Sequence, residues 1–75
     1  MLRVYRFYDD TSQAPDQKLF LMEADNIADT TVAEACCKAV SQAYPADVGI
    51  YGAFVLDMSN GVMIHKYNDN GQKVW

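Results

Sequence analysis

Residue types that carry catalysis, cross-links or metal are scarce in this 75-residue chain, which has one histidine and two cysteines. No Gly-rich phosphate loop, nucleophile elbow or dinucleotide fingerprint is present. Cys36 and Cys37 are adjacent. They cannot staple distant segments, because a disulfide between neighbours on a helix needs a strained, non-helical link. They read as two free thiols in a reducing compartment. Four glycines and two prolines leave no linker or low-complexity tract. No run approaches the roughly 18 apolar residues of a membrane span. Met1-Leu2-Arg3 opens no secretory h-region, so a cytoplasmic location is expected.

Basic charge is also in short supply. The net charge is −4, with Asp9, Asp10, Asp16, Glu23, Asp25, Asp29 and Glu34 set against Lys18 alone between residues 9 and 34. A nucleic-acid binder needs a basic footprint to displace counterions from phosphates, so direct nucleic-acid binding is not expected. The acidic segment suits a protein partner with a basic surface. The plainer reading is that these carboxylates solvate a loop and a helix start.

What the chain does have is apolar and aromatic content. The apolar fraction is 51%, and five Tyr, three Phe and one Trp make nine aromatics, which argues against disorder. Residues 1–75 form one domain, near the lower limit at which an uncross-linked chain folds alone.

Residues 2–8 and 18–24 are rich in β-branched and aromatic side chains and read as two antiparallel strands joined by a polar connection. Thr31 followed by Glu34 fits a capping box, and Pro45 ends the helix at Tyr44. Val32, Cys36, Ala39, Val40 and Ala43 then form one apolar stripe, with Cys36 near its middle. Residues 50–57 and 62–67 are two further strands around Ser59-Asn60-Gly61, which predicts a type I′ hairpin. Asn68-Asp69-Asn70-Gly71 is a second turn signal, with residues 72–75 as an optional fifth strand. The expected fold is α+β in two layers, with a single helix on one face of an antiparallel four- to five-stranded sheet (ββαββ).

One helix covers one face of such a sheet. Alternation assigns Phe20, Met22, Phe54, Leu56, Val62 and Ile64 to the helix side. It leaves Leu19, Leu21, Val55, Met63, His65 and Tyr67 on the open face, joined by Tyr5 and Phe7. An apolar open face marks an interaction site.

Candidate chemistry is thin. His65 sits in Ile64-His65-Lys66-Tyr67, which resembles the strand histidine of small messenger-RNA-cleaving toxins, but the basic surface and leading helix of that family are missing. Cys36, Cys37 and His65 offer neither a C-x₂-C pair nor a fourth zinc ligand. Asn68 to Gly71 lacks the bidentate glutamate of a calcium loop. No metal, cofactor or enzymatic activity is expected.

The ββαββ order, the length, the acidic balance and the tail Asn70-Gly71-Gln72-Lys73-Val74-Trp75 resemble small anti-CRISPR proteins of phages and mobile elements. The resemblance implies a stoichiometric inhibitor that blocks a nucleic-acid-handling effector, such as a CRISPR complex, by occupying a basic surface. Asp9, Asp10, Asp16, Glu23 and Asp25 would supply the charge, and Tyr5, Phe7, Tyr67 and Trp75 the apolar anchors. Two alternatives stand beside it. One is a homodimeric structural or regulatory module that uses the open sheet face; the other is a small RNase-like enzyme that uses His65.

Overall fold

The computed structural model describes residues 1–9, 18–43 and 50–75. Their elements run β1 (Leu2–Asp9), β2 (Lys18–Ile27), α1 (Thr30–Ala43), β3 (Ile50–Asp57) and β4 (Val62–Asn68). The strands form one antiparallel sheet in the order β2-β1-β3-β4, so the first strand of each hairpin takes a central place. The connection from β2 through α1 to β3 crosses over β1. Helix and sheet make the expected two-layer α+β fold.

The helix starts two residues earlier than the capping box implies. Asp29 is the cap: its Oδ1 accepts from the Thr31 amide at 2.8 Å, and its carbonyl accepts from the Ala33 amide at 3.0 Å. Such a carboxylate satisfies orphan amides and sits where the helix dipole favours negative charge. Glu34, freed from capping, reaches elsewhere. The helix is described to Ala43, and the expected stop at Tyr44 and Pro45 lies outside the described residues.

The buried face of α1 is Ala33, Cys37 and Ser41, flanked by half-buried Cys36 and Val40. This corrects the expected stripe: Val32, Ala39 and Ala43 are exposed, and Cys37 rather than Cys36 is fully buried. Ser41 tolerates burial because its hydroxyl donates to the Lys38 carbonyl at 2.7 Å. A face built from alanine, cysteine and serine lets the helix lie close to the sheet. Only slim side chains fit beneath it, and those found are Val4, Ala53 and Val55, all fully buried, with Leu2 and Tyr67 at the margins.

That packing inverts much of the expected division of faces. Phe20, Met22, Phe54 and Leu56 lie on the side away from the helix, while Val55, His65 and Tyr67 lie on the helix side. Tyr5, Phe7 and Met63 are on the open side as expected, and Ile64 packs against the core. Register shifts contribute to the error, since strict alternation fails where a strand carries an extra residue. Glu23 is extra between the pairs Val4↔Ala24 and Tyr5↔Met22, and Ile64 between Val55↔His65 and Leu56↔Met63. A further irregularity falls near Asn26, whose φ of 57° an asparagine tolerates.

The β3–β4 connection is a four-residue loop rather than a type I′ turn. Gly61 alone in it has positive φ, at 70°, and its amide donates to the Asp57 carbonyl at 2.8 Å. Asp57 Oδ1 also accepts from the Ser59 amide and hydroxyl at 3.0 and 2.7 Å, which tightens the loop.

Beyond β4, the Asn68 side chain accepts from the amides of Asn70 and Gln72, each at 3.0 Å, so this segment is a side-chain-stabilised turn. The tail then runs back along β4. Lys66 donates to the Trp75 carbonyl at 2.9 Å, and Val74 donates to the Lys66 carbonyl at 2.7 Å. The optional fifth strand is thus a single bridge, Tyr67↔Lys73, with a few bonds around it. It shields the outer edge of β4.

Candidate functional site

The sheet face opposite the helix carries a second apolar cluster. Alternation along β1 sends Arg3, Tyr5 and Phe7 to this side, and antiparallel pairing sets them against Leu56, Phe54 and Gly52 of β3. On the other flank Phe7 pairs with Phe20 and Tyr5 with Met22 of β2. Phe54 is the centre. Its ring centroid lies 5.4 Å from Tyr5 in a stacked arrangement, 5.9 Å from Phe20 edge-on and 6.2 Å from a tilted Phe7. These are favoured separations and orientations for aromatic pairs, each worth about 0.5–1.5 kcal/mol beyond the area buried.

The rings shield Phe54 to 6% exposure without any helix above them. Phe20 and Met22 remain more than half exposed on the same face. Phe7 reaches its position because Gly52 stands opposite. A Cβ there would lie 2.5 Å from Phe7 Cζ and 2.6 Å from the Tyr67 carbonyl oxygen, so glycine makes room for the ring.

Cations rim the cluster. Lys66 Nζ stands 5.1 Å over the Phe7 ring, and the Arg3 guanidinium 5.9 Å over that of Tyr5. Arg3 also donates to the Tyr5 hydroxyl at 3.0 Å and grips Asp25 with two parallel bonds of 3.0 Å. That fork geometry is the strong form of an arginine–carboxylate pair. It holds the Asp25 carboxyl below its usual range, helped by the Asn26 amide.

The sequence-expected binding residues divide sharply. Tyr5 and Phe7 lie in the aromatic cluster. Asp25 is on its rim, already paired with Arg3, and Glu23 lies 3.3 Å from Arg6 Nε. Asp10 and Asp16 lie outside the described residues, as does the side chain of Asp9. Tyr67 is on the other side of the sheet and buried, and Trp75 is half exposed at the end of the tail. Phe54, Phe20 and Met22 were assigned to the wrong face by sequence reasoning. The signal that places them with Tyr5 and Phe7 is strand register, which a single sequence does not print.

On the helix side, the tail is tied to α1 by charge. Glu34 Oε1 accepts from Lys73 Nζ at 2.6 Å, and His65 Nε2 lies 3.7 Å away. The Lys73 bond chiefly lowers the Glu34 carboxyl and raises the Lys73 ammonium. His65 Nδ1 is buried with no hydrogen-bond partner among the described residues. What these groups hold together is the helix, β4 and the tail.

The Cys37 thiol is pushed up to about 12, first by burial and then by the neighbouring Cys36 and Glu34. A thiol so raised is a poor nucleophile. Among the described residues no group of three or more His, Cys, Asp or Glu is placed to hold a metal ion, and no helix is long and apolar enough to cross a membrane. No protein-family model, curated protein or solved structure matches this chain.

Proposed function

We propose that this chain is a small non-enzymatic protein-binding module that docks through its open sheet face. One observation carries the reading. A cluster of four aromatic rings and Met22 sits on the face that the helix does not cover, with Phe20 and Met22 more than half exposed. Aromatic and methionine side chains surrounded by arginine and lysine are the composition of an interface centre and its rim. The inhibitor reading belongs here too. Asp9 pairs with Lys18 two positions beyond the Phe7↔Phe20 pair, so β1 ends and β2 begins next to the aromatic cluster. A CRISPR-type effector, whose nucleic-acid channel is basic, is a partner of fitting chemistry. Because Glu23 and Asp25 are engaged by arginines, Asp9, Asp10 and Asp16 supply the charge in this reading.

The test is capture of a bacterial effector complex on the immobilised chain, with Phe20→Asp and the pair Asp10→Lys/Asp16→Lys run beside the native sequence. Phe20→Asp should abolish capture at any salt. The lysine pair should weaken it roughly tenfold at low salt and less at high salt, as screened charges do. A protein retained equally by the native chain and by Phe20→Asp shows that the aromatic face is not the docking surface.

A further inference from the structure

The two edges of the sheet are treated differently. The outer edge of β4 is shielded by the tail, through Lys66, Asn68, Gln72, Val74 and Trp75. Among the described residues, no strand lies beyond β2. Natural edge strands are blunted by proline, charged side chains, β-bulges or short length, and in β2 the bulges and carboxylates begin only at Glu23, beyond the stretch from Phe20 to Met22. β2 is ten residues long, has no proline, and exposes three consecutive large apolar side chains: Phe20 at 55%, Leu21 at 46% and Met22 at 54%. Successive residues of a strand point to opposite faces, so this exposure belongs to the edge itself and not to the aromatic face alone.

We infer that β2 pairs antiparallel with β2 of a second copy of this chain across a two-fold axis at Leu21. The strand is self-complementary about that residue. Residues on the same side of a continuous sheet must oppose each other, and a dyad at Leu21 sets Phe20 against Met22 of the second copy and Leu21 against Leu21. Charge selects the same register. A dyad at Glu23 would oppose two carboxylates, which is unfavourable, whereas a dyad at Leu21 keeps Glu23 and Asp25 clear of their copies. It also brings the lysine end of one strand, at residue 18, level with residue 24 of the other, beside that acidic pair. Glu23 and Asp25 are balanced within each copy by Arg6 and Arg3, so little repulsion opposes the approach.

An axis perpendicular to the sheet keeps both helices on one side and both aromatic clusters on the other. The product is an eight-stranded sheet with one aromatic face of doubled length. This pairing goes beyond the docking proposal, because the face can bind a partner with or without it.

Sedimentation equilibrium of the native chain across micromolar to millimolar concentration is the experiment. The mass should rise from 8.4 kDa to twice that value. Leu21→Lys places two ammonium groups on the axis and should weaken association at least roughly tenfold, with circular dichroism unchanged. Leu21→Cys decides the matter should the lysine variant fail to fold. Mild oxidation should then join two chains through position 21, located by peptide mass mapping. A chain that stays at 8.4 kDa throughout, a dimer unaffected by Leu21→Lys, or cross-links that map to Cys36 instead would each overturn the inference. A monomeric Leu21→Lys chain that still captures its partner separates this result from the docking proposal.

Discussion

The two faces of this sheet are built by opposite means. On the helix side, small and β-branched residues are sealed by a close-packed helix, and Val4, Ala33, Cys37, Ala53 and Val55 are fully buried. On the open side, aromatic rings bury one another around Phe54 and leave their outer members in water. The difference teaches that apolar content alone does not say where a core lies. A helix faced with alanine and cysteine admits slim partners at close range and excludes phenylalanine, because interiors pack at near-crystalline density.

The sharpest way to break this comparison is to charge one residue on each face. Val55→Asp puts an unpaired carboxylate under the helix and should remove the cooperative unfolding transition, since a penalty above about 4 kcal/mol approaches the whole stability of a small domain. Phe20→Asp on the open face should leave a folded chain that melts cooperatively. Thermal melts of the two variants settle it, and equal loss of folding would mean that the open cluster is as much a core as the helix side.

A smaller effect sharpens the picture of the sealed face. Burial raises Cys37 to about 12 from an ordinary 9.0. A group whose folded pKa is raised contributes its stability in full below the unfolded value and loses it as pH rises towards the folded one. Unfolding by urea at pH 7 and pH 10 should therefore show a loss of about 1.4 kcal/mol at the higher pH. The buried Tyr67 phenol, also raised chiefly by burial, adds to the loss further up the scale. Cys37→Ala should flatten the slope between those two values; an unchanged slope would assign it to another group.

The smallest effect concerns the tail. Glu34→Gln removes the partner of Lys73, and the melting temperature should hardly move because the pair is exposed to solvent. Hydrogen exchange should instead accelerate at the Lys66 and Asn68 amides, which the tail protects. In the native chain the same loosening should follow acidification. The Glu34 carboxyl is held low, so the tie persists below the ordinary carboxylate range and is lost as pH falls through the lowered value. Unchanged protection in Glu34→Gln would leave the backbone bonds as the tail's sole fastening.

Element existence was legible from local signals. Four β-rich runs and one helical stretch stand where the sequence places them, with β3 matching end to end. Local side-chain competition moved the boundaries: Asp29 displaced Thr31 as cap, and Asp57 made a wider loop of the expected tight turn. Of the aromatic cluster, the shared placement of Tyr5 and Phe7 was readable because an aromatic run at alternating positions in β1 must put both on one face. Phe54 and Phe20 were not, because their membership depends on which set the helix selects.

Composition and periodicity by themselves determined an α+β fold, without cross-links between distant segments, in which one helix leaves one sheet face uncovered. Those properties follow from residue type and short-range spacing. Only the tertiary structure decided the strand order β2-β1-β3-β4, the burial of Cys37 rather than Cys36, and the aromatic identity of the open face. The reason is physical. Strand pairing and helix rotation are fixed by contacts between residues far apart in the chain, and an extra residue at Glu23 or Ile64 reverses the facing of everything beyond it.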